Sequence, residues 1–444
     1  MKRFTLAIII IPLLFIFTYS CSDDESEPVR VYGEDTFVYD VEYSENTKIF
    51  ADEIKESLIK VDTTTYTEYD PSTETDINVH HYTFTFDDLS VLDSLGEGSI
   101  LVIYGDYMTK VKSVVQQGND VIVVTEPATL KEVIKNGTIE WDMTPGIELV
   151  QKIQMGDDEV KGNGILNDEF EYKFEWLDRK YTIWMNPHGV SPNGLPQLQV
   201  NFTCQKTDKD NGRVTATLGA KGTTTFPRQH TKMEFSDNEM TTLQTNNNNL
   251  RSELTLEYVA EMSFGGTQVI TLPKVALKIP VQSLTSIPIP VPMYITVGVA
   301  FQSTINMPVV SSFAHAKVKL ILDSDTGFDY VGPTIEASAK VNDYDLGEAA
   351  WAIGATQLAP TPLEVRYDVS CPRIGIEIAG SELAWLSGVF SSRAKLIVPS
   401  LCKAALYQVR IDGGYSLKVM GYSIADKSGN ITEVSRTEKS PECP

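Results

Sequence analysis

In the stretch EFEYKFEW, residues 169–176, charged and aromatic side chains alternate without a break. Phe170, Tyr172, Phe174 and Trp176 fall on one side of an extended backbone, and Glu169, Glu171, Lys173 and Glu175 on the other. A helix would scatter these residues around its circumference, so only a half-buried strand separates rings from charges. The same period recurs at residues 79–86 (VHHYTFTF), with His80, Tyr82, Phe84 and Phe86 on one face. It recurs again at 294–301 (YITVGVAF), which groups Ile295, Val297, Val299 and Phe301. Many such strands joined by turns predict a mainly β fold of antiparallel β-sandwich or barrel-like domains. Large rings on one face suit a sandwich core; the alternative is an exposed platform on which sugars stack.

Residues 99–142 are the most legible segment. SILVIYG reads as a strand, and TKVKSVV and DVIVVTEP flank QQGN, a hairpin loop in which Gly118 supplies a positive φ. ATLKEVIKNG then changes to helical spacing, with Leu130, Val133 and Ile134 on one side, Pro127 before it and Asn136-Gly137 as its stop. A short helix is expected there. This series, with TEPATLKEVI followed by TIEWD, resembles an N-terminal β-rich module found in assorted secreted and cell-surface microbial proteins. The resemblance implies a fold for about a quarter of the chain and no activity. A module over 35–142 is therefore expected, followed by a large C-terminal β-sandwich region over 143–444 of one or two subdomains.

Within that region, LPKVALKIPVQSLTSIPIPVP carries Pro273, Pro280, Pro288, Pro290 and Pro292 and predicts an edge strand or extended crossover. Asn246 to Asn249 predict a polar loop. The final GYSLKVMGYSIADKSGNITEV looks like the closing hairpin of a bacterial immunoglobulin-like domain, with its turn at Asp426 to Asn430.

The first residues bear on location. Lys2 and Arg3 precede an uncharged, mostly apolar run, FTLAIIIIPLLFIFT, that ends shortly before Ser20 and Cys21. The run is shorter than the roughly 20 apolar residues a membrane span needs, and Pro12 interrupts it. The stretch resembles a bacterial lipoprotein signal, which implies removal of residues 1–20 and acylation of Cys21 as the new N-terminus. Each buried acyl methylene contributes about 0.8 kcal/mol, so two or three chains hold a protein at a membrane where one does not. Residues 21–34 then form an acidic tether carrying Asp23, Asp24, Glu25 and Glu27. Acid directly after the cysteine resembles the export tag of surface lipoproteins in some diderm bacteria. The expected location is the outer membrane at the cell surface, with a periplasm-facing orientation as the alternative.

Sixty acidic residues against 37 basic ones give a net charge of −23, and loss of Lys2 and Arg3 takes it to −25. Nucleic-acid binding relies on basic patches, and this balance excludes it. Beyond Cys21 the cysteines are Cys204, Cys371, Cys402 and Cys443, an even set that favours disulfides in an exported chain; three connectivities are open, and Cys371 with Cys402 is the first choice.

Signs of chemistry are sparse. The histidines are His80, His81, His188, His230 and His315, with no H-E-x-x-H and no G-x-S-x-G. Ser57–Lys60 and Ser392–Lys395 match S-x-x-K, but no K-T-G accompanies them. Asp323, Asp325 and Asp329 around Gly327 in LDSDTGFD, and Asp208 and Asp210 in TDKDNG, place alternate carboxylates on glycine-containing turns, the oxygen donors calcium takes; neither fits an EF-hand. Trp184 and His188 in WMNPH mark a loop-edge ligand site. Two readings follow. One is a non-enzymatic protein, ligand-binding, adhesive or structural, that meets an extracellular glycan or protein. The other is a polysaccharide- or peptide-processing enzyme with an acidic site.

Replacing the lipidated thiol tests the anchor. Cys21→Ser should abolish fatty-acid labelling and membrane association; equal labelling of variant and wild type would contradict the assignment.

Overall fold

The alternating segments fold as strands in the computed structural model, which describes residues 35–443 apart from 71–74, 147–148, 156–157, 161–169, 177–178, 192–193, 208–213, 263–265, 273, 285–288, 308–311, 332–333, 356–361, 398–399 and 417–426. In chain order come β1 (Thr36–Tyr43), β2 (Thr47–Phe50), β3 (Leu58–Asp70), β4 (Thr75–Phe86), β5 (Ile100–Ile103), β6 (Tyr107–Gln117), β7 (Asp120–Pro127) and β8 (Ile134–Met143). Short helical turns α1 (Asp52–Lys55), α2 (Ser90–Ser94) and α3 (Leu130–Val133) lie between them. There follow β9 (Lys152–Met155), β10 (Asp158–Val160), β11 (Phe170–Trp176), β12 (Arg179–Val190), β13 (Pro196–Thr207), β14 (Val214–Thr225), β15 (Arg228–Ser236), β16 (Glu239–Met262), β17 (Gly266–Thr271) and β18 (Val275–Pro280). The series closes with β19 (Met293–Met307), β20 (Ser312–Val331), β21 (Thr334–Asp345), β22 (Ala349–Ala355), β23 (Leu363–Ile378), β24 (Ser381–Ile397), β25 (Cys402–Tyr415) and β26 (Lys427–Lys439).

These strands form sheets of eleven, nine and six. The eleven-stranded sheet is organised by β16, which pairs with β20 along one edge from Thr242–Val331 to Met262–Ser312. On its other edge β14 and β15 lie end to end, broken only at Phe226 and Pro227. β20 is served the same way by β22 and β21, and in the nine-stranded sheet β19 is served by β17 and β18. Long strands of this kind need a tight return, and β15 turns into β16 at Asp237-Asn238, both at positive φ (53° and 65°), a conformation whose twist matches paired strands. The inward faces of the two large sheets share one hydrophobic core, including Leu218, Leu254, Leu320, Ile376 and Val409.

The six-stranded sheet, ordered β2-β5-β6-β7-β4-β3, has its own core of Phe50, Phe84, Phe86, Val91, Leu101, Val111, Val121 and Val123. Its strands are inserted between β1 and β8, which pair with each other inside the eleven-stranded sheet. The expected boundary at Asp142 thus falls within a strand, where Asp142 stands opposite His230 of β15. Residues Glu34 to Pro444 form one compact unit.

Several local expectations change. The hairpin at Gly118 (φ 68°) is present, but the helix after it is a single turn, capped by mutual bonds between Thr129 and Glu132. Asn136 and Gly137 do not stop a helix; they pair with Glu42 and Val41 of β1. Their strand partners outweigh the helical spacing. The VALKIP segment is an interior strand between β9 and β19 rather than an edge, because Pro280 lies beyond Lys278, the last β18 residue paired with β9. Of the turn expected at Asp426 to Asn430, Lys427 to Asn430 belong to β26 and Asp426 lies outside the described residues.

Asn246 to Asn249 form no loop either; they run through β16. Asn247, 1% exposed, sits in a buried polar chain: Trp141 Nε1 donates to Gln229 Oε1 (3.0 Å), and Gln229 Nε2 donates to Asn247 Oδ1 (3.1 Å). Buried amides are tolerated when their partners are supplied in this way.

The cysteines pair differently from the first choice. Cys402 is bonded to Cys443, while Cys204 and Cys371 are buried and in no disulfide, and burial pushes Cys371 up to about 12. Cys371 on β23 and Cys402 on β25 are separated by the intervening β24, and two strand spacings of about 4.8 Å exceed the reach of a disulfide. In the chain from Glu34 onward, thiol titration in denaturant should therefore find the thiols of Cys204 and Cys371 only. Cys443→Ser should expose a further one and cost about 4 kcal/mol, the chain entropy of so long a loop. A chain with no free thiol would contradict this pairing.

Candidate functional site

Inward-facing positions of the two large sheets are filled by bulky aliphatic and aromatic residues almost throughout, and one corner departs from this. β21 and β26 are terminal strands of their respective sheets, and near them the core narrows to Phe328, Ala384 and Leu386, with Tyr415 and Ile431 against them. Gly413 of β25 stands directly opposite Gly429 of β26, so two neighbouring inward positions carry no side chain. A Cβ at Gly413 would come within 2.9 Å of Ile431 and Leu386, whereas one at Gly429 would meet nothing within 4 Å. Across from them Ala337, paired with Phe328, is exposed although its partner is 2% exposed.

The sheets therefore stay apart here and leave a cleft of about 480 Å³. Phe328 closes its floor and Tyr415 and Ile431 are half-buried in its wall; Glu336, Ser428 and Asn430 border it through their backbone, since each stands opposite an outward-facing residue, Asp329, Gly414 and Asp412. Asn430 Nδ2 donates to Glu433 Oε2 (3.1 Å), which holds its amide on the outward face with Gln408. Gly414, between Gly413 and Tyr415, faces the other way, where a Cβ would strike the Trp385 indole. An apolar wall bordered by the backbone of two terminal strands, in this size range, suits a small-molecule site.

The outward face of the nine-stranded sheet carries charges that hold one another. Arg373 donates to both oxygens of Glu382 (2.8 and 2.7 Å) and lies 3.9 Å over the Trp385 ring, and Lys274 donates to the same carboxylate (2.6 Å). Burial, then the Arg373 charge, lowers Lys274 below the usual lysine range. Farther along, Arg410 donates to Asp412 (3.1 Å) and Ser391 (2.9 Å); burial raises Asp412 against the pull of Arg410. Asp412 and nearby Asp368 are the carboxylates an enzyme reading would use, but both point away from the cleft.

The residues expected from sequence fall elsewhere. Asp323, Asp325 and Asp329 lie on a strand rather than a turn, and each has a protein partner. Asp323 meets Arg251 (3.3 Å), Asp329 accepts from Gln244 (2.8 Å), and Asp325 accepts from the Asn249 backbone and the Asn342 amide (2.9 Å each). Asp325 thus serves the irregularity in β16 between Asn247 and Leu250. No group of three His, Cys, Asp or Glu suited to a metal occurs among the described residues. Asp208 and Asp210 lie outside those residues, as does Cys21. Trp184 and His188 share the outward face of β12 instead of a loop edge; Trp184 is half-buried and His188 exposed. His80, expected in the core, is half-buried and bonded to Thr65 (3.0 Å). The cleft was missed because its signal, glycines at 413 and 429, acquires meaning only through their register.

Comparison with protein-family models, with curated proteins and with solved structures gave no match.

The aromatic strand is resolved between core and platform. β11 ends its sheet, and Phe174 is half-buried against the core, stacked on Tyr181 at 4.9 Å. Phe174→Ala should cost about 2 kcal/mol, less than a fully buried ring. A loss below about 0.5 kcal/mol in denaturant melts would place the ring on the free surface.

Proposed function

We propose that this chain is a lipid-anchored outer-membrane protein of the cell surface that binds a neutral glycan, without chemistry of its own, in the cleft between β21 and β26. Gly429 carries the reading, since it leaves open space where a side chain would help close the core, while Gly413 makes room for Ile431 and Leu386. Sugar rings combine apolar faces with hydroxyl edges. Tyr415 and Ile431 offer the apolar contact, and the backbone of the terminal strands β21 and β26 offers hydrogen-bond partners at the rim. The net charge, −25 once Lys2 and Arg3 are lost, disfavours sulfated or uronic-acid ligands, so neutral saccharides are the class that fits. The anchor rests on the signal-like run ending at Cys21, and the acidic residues after it hold the binding unit away from the membrane.

Gly429→Trp tests the site with little risk to the fold, because the added side chain enters open space. On a glycan array the chain from Glu34 should bind a neutral saccharide, and the variant should lose at least about tenfold in affinity with an unchanged melting transition. Equal binding by both proteins would remove the cleft from consideration, and binding to acidic glycans alone would overturn the ligand class.

A further inference from the structure

The cleft between β21 and β26 is apolar inside and polar along its border. Phe328, Ala337, Gly413, Tyr415, Gly429 and Ile431 line it from inward-facing positions, and among them only Tyr415 carries a polar atom on its side chain. Its deep end is walled by Phe328 and Ile431, which pack with Ala384 and Leu386. A Cβ at Gly429 would meet nothing within 4 Å, and Ala337 is exposed. An unfilled apolar space therefore lies over Gly429.

The border is strand edge. β21 and β26 each end a sheet, and on a terminal strand every second residue turns its N–H and its C=O to the open side. A donor and an acceptor beside an apolar space match a group that holds an N–H, a C=O and a small apolar end together. The hydroxyls of a plain hexose pair with the edge but leave the apolar space unfilled, whereas an acetamido group meets all three needs. The open stretch is short for a peptide strand. β26 begins at Lys427; farther along, Val434 packs on the main core and Glu438 accepts from Trp351 Nε1 of β22 (2.7 Å). The lining residues Ser428 to Ile431 span about 10 Å, roughly half of a usual strand.

We propose that the saccharide held in this cleft carries an N-acetyl group, whose N–H and C=O pair with the free edge of β26 and whose methyl enters the space over Gly429. This rests on the cleft being a neutral-glycan site and narrows the ligand from neutral saccharides to N-acetylhexosamines. The acetamido group is uncharged, as the acidic balance of the chain requires. Gly429 is then the residue that sets specificity, because a larger side chain there takes the place of the methyl.

Saturation-transfer NMR and titration of the chain from Glu34, which is one compact unit, test this with the methyl glycosides of N-acetylglucosamine, N-acetylgalactosamine, glucose and galactose. At least one N-acetyl sugar should bind about tenfold or more tightly than its parent hexose, with the strongest transfer to its acetyl methyl. Gly429→Val, whose side chain enters open space, should bring the two within about threefold of each other and leave the melting transition unchanged. Hexoses that bind as tightly as the N-acetyl sugars, and lose binding in Gly429→Trp, would overturn the N-acetyl assignment and leave the cleft as a glycan site. A preference that survives both Gly429→Val and Gly429→Trp would put the acetamido contact elsewhere and overturn it. Binding by neither N-acetyl sugar at about 10 mM also overturns it, and if no neutral saccharide is bound on the array the glycan reading of the cleft falls with it. Tighter binding by an extended alanine peptide would overturn the choice of a sugar.

Discussion

The pairing of β16 with β20 is the constraint on which the rest of the eleven-stranded sheet depends. Twenty-four residues of β16 extend for roughly 75 Å, farther than any one neighbouring strand follows it on its other side. The chain meets this by laying consecutive shorter strands along a single edge, β14 with β15 and then β21 with β22. At the break on β16, ladder partners are replaced by side chains. The Thr225 hydroxyl accepts from the Arg251 backbone (2.9 Å), and Asp325 accepts from the Asn249 backbone (2.9 Å). Without such partners a buried backbone group costs about as much as a lost hydrogen bond.

The same extension places the candidate site. β20 carries Phe328 to the far corner of the sandwich, where β21 is its last neighbour and β26 ends the facing sheet. A sandwich closes by interdigitating side chains from both inner faces. Gly413 lets Ile431 and Leu386 settle over it, and Gly429 beside it contributes no side chain to fill the remaining space. The cleft is thus a local failure of core closure between two terminal strands. Such a preformed concavity binds without rearranging the fold.

Much of the fold was legible because strand periodicity survives in local sequence. EFEYKFEW, VHHYTFTF and YITVGVAF all became strands, with Phe84 and Phe86 buried and Tyr172 and Phe174 inward. What sequence reasoning missed depends on neighbours distant in the chain. ATLKEVIKNG has helical spacing, yet Glu42 of β1 pairs with Asn136 from 94 residues away and Val41 with Gly137 beside it. Asn246 to Asn249 are polar by composition but find partners in Gln229, Thr326 and Asp325. The acidic run LDSDTGFD looks like a turn until β16 and β21 flank it. A glycine pair brought face to face by strand register has no local signature.

Amide hydrogen exchange of the chain from Glu34, with and without a saturating neutral saccharide, tests the central claim most directly, because it reports where a ligand sits without presuming the residues. Protection should rise at Gly413–Tyr415 and Ser428–Ile431 on β25 and β26, and along β21 near Ala337, with little change in the six-stranded sheet. Protection confined to β12 around Trp184, or to β3 and β4 around Tyr66 and His81, would contradict the assignment of the cleft.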